Sequence, residues 1–235
     1  MYKGDGGCPS GGVVVIMGYI SKKLCVVVAN DASVKAGAWF PISAKKNLRA
    51  QEIALVNKIP IIYLVDSSGV FLPRQDEIFP DKDHFGRIFR NNAQMSSEGI
   101  IQIAAVMGSC VAGGAYLPIM SDEAIIVDKT ASIFLAGSYL VKAAIGEDID
   151  NETLGGATTH SEVSGIADYK AKDDQDALYR IRAMIDKIGE NSKSGFNRVD
   201  SIPPIKNAEE IFEILPNDKS QPYDTYEIIE RIVDK

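Results

Sequence analysis

The sequence predicts an α/β protein with a mostly parallel sheet. The first observation is a short apolar run, Ile100–Met107, which is interrupted only by Gln102 and followed by Gly108. A run of this length that is rich in Ile and Val is typical of a strand buried on both faces. The second observation is that strand-like runs alternate along the chain with helical patterns and glycine-rich turns, which is the pattern of α/β folds.

The N-terminal part is predicted to contain a β-hairpin and a helix. Val13–Ile20 and Leu24–Ala29 are two β-rich runs separated by three residues, which indicates a hairpin. Ser43–Lys58 has apolar residues at helical spacing, and Pro60 ends this helix. Residues 1–12 contain five glycines, and we expect them to form a flexible lead-in.

A second buried strand, Ile61–Val65, is followed by the polar segment Asp66–Gly69. Polar groups at the carboxyl end of a buried strand are where α/β proteins bind ligands, although a simple Asx or Ser turn would give the same pattern. Residues 70–92 are predicted to form a long aromatic loop, which in a compact domain is typical of a lid or of a surface covered by a partner. His84 lies in this loop, where a lone histidine more often has a structural role.

The remaining chain is divided by the same criteria into strands, helices and a loop. Strands are predicted over Ala124–Val127, Ser132–Leu135 and Ile166–Lys170, helices within Leu135–Glu147 and over Asp173–Gly189 and Tyr226–Lys235, and a polar loop over Glu152–Gly165. Aspartates in the first turn of the Asp173–Gly189 helix favour its dipole.

The segment after Met107 is the strongest candidate for a functional turn. It is rich in small residues and leads into a short helix-like segment that contains Pro118. The first N–H groups of a helix have no partner inside the helix, and together with the helix dipole they can bind an anion or a developing oxyanion. Gly113 and Gly114 would let a ligand come close to the backbone. Alternatively, they only allow the helix to pack closely on the strand.

Composition and charge argue against several classes of function. The net charge is −7 with no basic run, which argues against nucleic acid as the main partner. No stretch reaches the ~20 apolar residues of a membrane span. The three cysteines have neither metal spacing nor the even number of a disulfide framework, which fits a reducing compartment. The N-terminus has no signal or transit pattern, so the sequence predicts a cytoplasmic protein.

The common catalytic motifs are missing from the sequence. There is no Walker phosphate loop, no GxGxxG fingerprint and no GxSxG nucleophile elbow. No carboxylate pair or metal-ligand cluster stands out, and no metal is predicted. An oxyanion-binding turn without an evident nucleophile or base fits a reaction in which the substrate or cofactor brings its own base.

Four long segments carry a resemblance to a known family. They are KKNLRAQEIA (Lys45–Ala54), the segment from IYLVDSSGV to NNAQMS (Ile62–Ser96), the segment from IAAVMGSCVAGGAY to KAAIGE (Ile103–Glu147), and ETLGGATTHSEVSG (Glu152–Gly165). These segments resemble the carboxyltransferase β subunit of biotin-dependent acyl-CoA carboxylases, and most of all its methylcrotonyl-CoA carboxylase branch. The long FPDKDHFGRIFRNN segment separates this branch from the propionyl-CoA type, but geranyl-CoA carboxylases share it.

The resemblance implies a crotonase-like ββα superhelix and a carboxyl-transfer reaction. In the family, carboxybiotin releases CO2, the biotin anion removes a proton from the acyl-CoA (at the γ-carbon of methylcrotonyl-CoA), and the enolate attacks CO2. The backbone N–H groups of Gly113 and Gly114 match the oxyanion hole that holds the enolate. The Gly37–Ala38 loop corresponds to another small-residue turn that faces this site. The substitution Gly114→Val is therefore expected to block the close approach of the thioester.

Candidate substrate-binding residues follow from the matching motifs. Lys45 and Arg49, near the start of the first helix, are candidates for contact with the CoA phosphates, unless they are simply exposed helix charges. The candidates for the acyl pocket or its lid are Phe71, Phe85, Leu135, Ala136, Tyr139 and Leu140, and the further candidates at the turns are Ser68, Gly69, Ala112 and Gly137.

The resemblance also implies a domain organisation and partners. A family β subunit has two crotonase-like halves, with the acyl-CoA site mostly in the first and the biotin site in the second. Residues 13–200 would be the acyl-CoA half, and residues 201–235 would be the connector to a second domain that this chain lacks. The implied partners are an α subunit that carries both biotin carboxylase and biotin, and further copies that form a hexamer. In a eukaryote the family works in the mitochondrial matrix.

Two other functions stay open on the sequence. A biotin-dependent acyl-CoA decarboxylase of the glutaconyl- or methylmalonyl-CoA type would share the fold and the oxyanion turn. A non-catalytic half-subunit would be only an acyl-CoA-binding or assembly module, with Pro216–Lys235 as a docking arm. The FPDKDHFGRIFRNN segment favours the methylcrotonyl type, which belongs to leucine degradation.

Overall fold

The sheet of the N-terminal unit places three strand ends, and the loops that follow them, next to one another. A computed structural model describes residues 1–78, 82–189, 202–218 and 220–234. The chain divides into two units, Met1–Ile188 and Gly189–Lys235. The domain boundary predicted at residue 200 lies outside the described residues.

The described part of the first unit contains a seven-stranded, mostly parallel sheet. The strands are β1 (Val13–Ile20), β2 (Lys23–Asn30), β3 (Ile61–Ser67), β4 (Gln102–Val111), β5 (Glu123–Val127), β6 (Ser132–Phe134) and β7 (Tyr169–Ala171). They pair in the order β1-β2-β3-β4-β5-β7, and β6 also pairs with β4. The β1–β2 pair is antiparallel and the other pairs are parallel, which confirms the predicted hairpin and the mostly parallel sheet.

Strand β4 is longer than the sequence predicts. Gly108 does not end it, because the last residues of β4 leave β5 and pair with β6, with Val111 opposite Phe134. Gly108 has a different role: a Cβ atom at this position would lie 2.3 Å from the carboxylate of Asp66. The absence of a side chain at Gly108 thus leaves room for the Asp66 carboxylate beside β4.

Helices cover the sheet and connect its strands. They are α1 (Pro41–Asn57), α2 (Phe85–Ser97), α3 (Tyr116–Ile119), α4 (Ser138–Ile145), α5 (Asn151–Gly155) and α6 (Asp174–Lys187). The predicted helices that correspond to α1, α4 and α6 are confirmed within a few residues, and α3 is as short as Pro118 suggests.

Two predicted loops are wrong. Residues 70–92 contain the 3-10 turn Leu72–Glu77 and more than half of α2, and Glu152–Gly165 contains most of α5 and a π-helical turn, Thr159–Val163. The buried face of α2 is made of Phe85, Ile88, Asn91, Asn92 and Met95. Two of these five positions are asparagines, so an apolar pattern does not reveal the helix.

The first twelve residues, expected to be a flexible lead-in, pack on the domain. They form two 3-10 turns, Lys3–Asp5 and Pro9–Gly12. Cys8 is buried in a small cluster with Val34 and Phe40. The ordering of this segment thus has an apolar contribution that its glycine content does not suggest.

The described part of the second unit contains short helical segments joined by irregular chain. These are a 3-10 turn, Ala208–Glu210, and the helices α7 (Ile211–Ile214) and α8 (Thr225–Ile229). The terminal helix predicted over Tyr226–Lys235 is therefore much shorter than expected. Arg231 donates hydrogen bonds to the carboxylates of Glu210 and Glu227. In the described residues of the chain, no helix has the length and apolar character needed to cross a membrane.

Buried polar side chains join α1 and α2 to the sheet. Gln51 Nε2 donates to the hydroxyl of Tyr63 at 3.1 Å and to Asn92 Oδ1 at 3.2 Å. Asn92 Nδ2 donates to Gln102 Oε1 at 2.8 Å. All four residues are about 1% exposed or less, and burial raises the pKa of Tyr63. Because each group satisfies another in a low-dielectric interior, the network depends on all its members.

The substitution Asn92→Ala is expected to lower the free energy of unfolding by about 2–4 kcal/mol, because it leaves the buried Oε1 of Gln102 without its donor and creates a cavity. Urea denaturation followed by circular dichroism measures this loss. Asn57→Ala is the matched control, since Asn57 is exposed and its side chain hydrogen-bonds the carbonyl of Ile53, one turn earlier in α1. Its expected effect is within about 0.5 kcal/mol, and equal losses in the two variants would contradict the prediction.

Candidate functional site

The loop that follows β2 lies directly against the end of β3. Gly37 has φ +68°, and a Cβ atom on it would lie 2.0 Å from the carbonyl oxygen of Asp66. No side chain fits there, and the backbone conformation also favours glycine. Ala38 follows and is buried. The Gly37–Ala38 turn predicted from the sequence is thus fixed to the strand that carries Asp66–Gly69.

Backbone hydrogen bonds continue this pairing beyond β3. The Trp39 N–H donates to the Gly69 carbonyl at 2.8 Å, and the Phe71 N–H donates to the Trp39 carbonyl at 2.9 Å. Val70 lies between Gly69 and Phe71, the two residues that bond Trp39. In a parallel ladder, the residue in this position directs its own N–H away from the strand that carries its partner. The N–H of Val70 therefore faces the β4 side of β3, and it has no hydrogen-bond partner among the described residues.

The turn after β4 lies on that same side. Ala112–Ala115 form a 3-10 turn that leads into α3, and Gly113 and Gly114 are buried. The ideal Cβ position of Gly113 is 3.8 Å from Cγ2 of Val70. In a 3-10 turn each N–H bonds the carbonyl three residues earlier, which pairs Gly114 with Val111 and leaves the N–H groups of Ala112 and Gly113 without a partner inside the turn. The backbone donors of Val70, after β3, and of Gly113, after β4, thus lie close together.

The direction in which a side chain at position 114 would point changes the explanation expected for Gly114→Val. This position is 3.1 Å from Ser67 Oγ and 3.2 Å from Ser67 Cβ, so it points into the protein. A valine at position 114 would displace the turn from β3 and would not itself fill the space of a thioester. The expected loss of function remains, but its physical cause is different.

An aromatic row covers the turn. The rings of Trp39 and Phe85 have centroids 4.7 Å apart, those of Phe85 and Phe89 are 5.4 Å apart, and those of Phe89 and Tyr116 are 4.9 Å apart. Phe85 Cζ is 3.7 Å from the ideal Cβ position of Gly113. Phe85, a candidate for the acyl pocket or its lid, therefore lies against the turn and belongs to a helix.

Two cavities flank the donors in the described part of the chain. The first, here called the Lys35 groove, has a volume of about 510 Å³ and is lined by Lys35, Ala38, Ser68, Val70, Phe71, Leu72 and Pro73. The second, here called the Tyr116 pocket, has a volume of about 270 Å³ and is lined by Ala112, Ala115, Tyr116, Ile119, Ile133, Phe134, Leu135, His160 and Ile166. Val70 borders the groove and Ala112 borders the pocket, so the donors lie between them.

His160 is the basic side chain among the described residues that line the Tyr116 pocket. No carboxylate is among the described residues that line it. His160 uses both ring nitrogens, with Nε2 2.8 Å from the Ile133 carbonyl and Nδ1 2.8 Å from the Ser164 hydroxyl. Because a carbonyl only accepts, Nε2 carries the proton and Nδ1 accepts from Ser164. His160 therefore uses both ring nitrogens to support the pocket wall.

Cys110 lies just before the turn but is unsuited to be a nucleophile. It is fully buried, and burial together with the charge of Asp66 raises the pKa of its thiol. A thiol with a raised pKa stays protonated near neutral pH and reacts slowly. The described residues around the turn thus provide backbone donors and an apolar surface.

Some predicted residues lie elsewhere. Lys45 and Arg49 line a separate cleft of about 640 Å³ between α1 and α2, where Arg49 pairs with Glu52. Tyr139 and Leu140 lie on α4 and are 88% and 61% exposed. Ala136 and Gly137 lie at the start of that helix and are partly exposed.

Sequence reasoning missed two residues of this region, Lys35 and Val70. Lys35 is the cation that lines the groove, and its place beside Gly37 in the sequence is the signal that could have indicated it. The Val70 N–H carries no such signal, because any residue but proline has this group.

The fold and these turns define the class of the protein, which is a crotonase-like α/β domain. Residues 2–235 match the model of the carboxyl transferase domain family, and the chain belongs to that family. Both findings confirm the resemblance seen in the sequence.

Known relatives agree with this assignment. The chain is 52% identical over 226 residues to the biotin-dependent 3-methylcrotonyl-coenzyme A carboxylase β1 subunit of Mycobacterium tuberculosis. The aligned region covers 96% of this chain and 43% of that protein. The solved β subunit of geranyl-CoA carboxylase from P. aeruginosa has a TM-score of 0.71 and 37% identity, over 95% of this chain and 41% of that one. Transcarboxylase 12S has a TM-score of 0.73 and 28% identity, over 95% and 43%. The chain thus spans about two fifths of the length of these relatives.

Proposed function

We propose that this chain provides the acyl-CoA site of a biotin-dependent acyl-CoA carboxyltransferase of the methylcrotonyl-CoA type. The observation that carries the proposal is that backbone donors after β3 and β4, at Val70 and Gly113, meet between a groove with a lysine and a pocket whose described lining has no carboxylate. The names of the relatives support the choice of methylcrotonyl-CoA or a similar branched acyl-CoA.

The substrate would cross the site from the groove to the pocket. Lys35 at the groove would attract the phosphates of CoA, and Ser68 and Phe71 would border the pantetheine arm. The thioester oxygen would then accept hydrogen bonds from Val70 and from the Gly113–Gly114 turn. The acyl chain would enter the Tyr116 pocket past Ala112, towards Leu135.

The chemistry of this site would be stabilisation of an enolate. Removal of a proton from the acyl group places negative charge on the thioester oxygen, and fixed backbone donors lower the free energy of that charge. Biotin, carried on a partner subunit, would supply the carboxyl group and accept the proton. The pocket fits this role, since no carboxylate among its described residues competes for the proton.

The same proposal implies how the protein assembles and which metabolic route it serves. An α subunit carrying biotin carboxylase and biotin would be the catalytic partner, and β subunits would associate into a hexamer, as transcarboxylase 12S does. The reaction would serve leucine degradation.

The proposal predicts how the chain binds CoA compounds. Calorimetric titration should give tighter binding of 3-methylcrotonyl-CoA than of propionyl-CoA or free CoA, because the branched acyl group fills more of the Tyr116 pocket. Lys35→Ala should weaken all three by about fivefold, since the exposed cation would contribute about 1 kcal/mol to phosphate binding.

Lys45→Ala is the matched control for this titration. Lys45 is also an exposed lysine, but it lines the cleft between α1 and α2, so its loss should leave all three affinities unchanged. Equal weakening by the two variants would place the CoA phosphates outside the Lys35 groove. Failure of the chain to bind any of the three compounds would overturn the claim that it carries a formed acyl-CoA site.

A further inference from the structure

Ser67, the last residue of β3, is a buried polar side chain where three loops meet. It is 0% exposed. Its Oγ donates to the Gly37 carbonyl at 2.9 Å and accepts from the Gly69 N–H at 3.2 Å. A hydroxyl has one proton to donate, and in Ser67 that proton is used for Gly37. The side chain therefore joins the loop after β2 to the segment that precedes Val70.

Ser67 also contacts the turn after β4. Its Oγ and Cβ lie 3.1 and 3.2 Å from the ideal Cβ position of Gly114, so the backbone of Gly114 rests against this side chain. One residue thus touches both backbone segments that carry the donors of the proposed oxyanion hole. It does so from the interior, on the side away from solvent.

We infer that Ser67 is a positioning residue, whose hydroxyl fixes the Val70 N–H relative to the Gly113–Gly114 turn. This inference rests on the proposed function. The hydroxyl occupies the Gly69 N–H, which leaves the next N–H along the chain, that of Val70, for a ligand. The same side chain sets how closely the turn approaches β3. Because Ser67 is buried and its proton is engaged, it acts through these neighbours and not on the substrate.

The test compares Ser67→Ala with the wild type in the assembled carboxylase. One oxyanion donor typically contributes ~10²–10³ in rate, and a displaced donor loses part of this. We expect kcat to fall about tenfold, while the KM for acyl-CoA and the affinity for free CoA stay within about twofold. Ser67→Cys keeps a weaker donor and acceptor of similar size, and its kcat should lie between the two.

Ser43→Ala provides a matched control. Ser43 is also 0% exposed, and its Oγ donates to the Gly11 carbonyl and accepts from the Phe40 N–H. It has the same hydrogen-bond pattern as Ser67 but touches neither donor segment. Both alanine variants should lower the melting temperature, and only Ser67→Ala should lower kcat.

The outcomes separate this inference from the proposed function. If the wild-type enzyme carboxylates acyl-CoA and Ser67→Ala has the same kcat, the inference is wrong and the function stands. If Ser43→Ala lowers kcat as much as Ser67→Ala, the role of Ser67 is structural only and the inference is also wrong. If Ser67→Ala does not fold, Ser67→Cys takes its place, because a thiol is a much weaker hydrogen-bonding group than a hydroxyl. A wild-type kcat in folded Ser67→Cys would then overturn the inference. If the wild type processes no acyl-CoA, the function and the inference fall together.

Discussion

The substitution Gly114→Val is expected to reduce acyl-CoA carboxylation by about 10²–10³-fold, the usual cost of losing an oxyanion donor. A valine needs space where Ser67 already lies, 3.1 Å from the ideal Cβ position. Ser67 is buried and hydrogen-bonded on both sides, so it cannot yield easily. The Gly113–Gly114 turn must move instead, and its N–H groups leave the position of the thioester oxygen. The measurement is kcat in the assembled carboxylase.

Gly18→Val controls for the effect of the substitution itself. Gly18 lies in β1, and a Cβ atom there would meet nothing within 4 Å. Valine is favourable in strands, so this variant should fold and keep the wild-type rate. Near-ultraviolet circular dichroism establishes whether each variant is folded. A folded Gly114→Val protein with normal turnover would remove the turn from the proposed mechanism.

Much of the fold can be predicted from the sequence because its signals are local. The β1–β2 hairpin follows from two apolar runs separated by a short polar segment, and β3 and β4 follow from short runs rich in Ile and Val. Helix α2 cannot be predicted in this way. Asn91 and Asn92 occupy its buried face, and they are favourable there because Gln51 and Gln102 satisfy their amides. That compensation depends on residues that are distant in the sequence.

The candidate site is predicted in part for the same reason. The glycines of the turn are visible in the sequence because close packing restricts the residue type. The choice between Lys35 and Lys45 is not visible, because it depends on which cavity each lysine reaches. Helix α1 directs Lys45 towards α2, whereas the loop after β2 places Lys35 at the groove. The donor at Val70 depends on the pairing of Trp39 with Val70, which is a tertiary contact.

The substitution Val70→Pro is expected to lower kcat by about 10²–10³-fold, because proline lacks the N–H that would bind the thioester oxygen. The fold should tolerate it, since this N–H has no hydrogen-bond partner among the described residues, and proline is accepted where a strand donor is unused. Binding of free CoA, which has no thioester oxygen, should not change. Steady-state kinetics and calorimetry measure the two effects separately.

Val70→Ala separates the N–H from the side chain. Alanine keeps the backbone donor and removes the methyl groups that contact the Gly113 region, so its kcat should stay within a few-fold of wild type. A large loss in Val70→Pro with little loss in Val70→Ala would assign the effect to the backbone donor. Equal rates in two folded, CoA-binding variants would mean that the thioester oxygen does not bind at Val70. The oxyanion hole would then need its second donor from another part of the assembled enzyme.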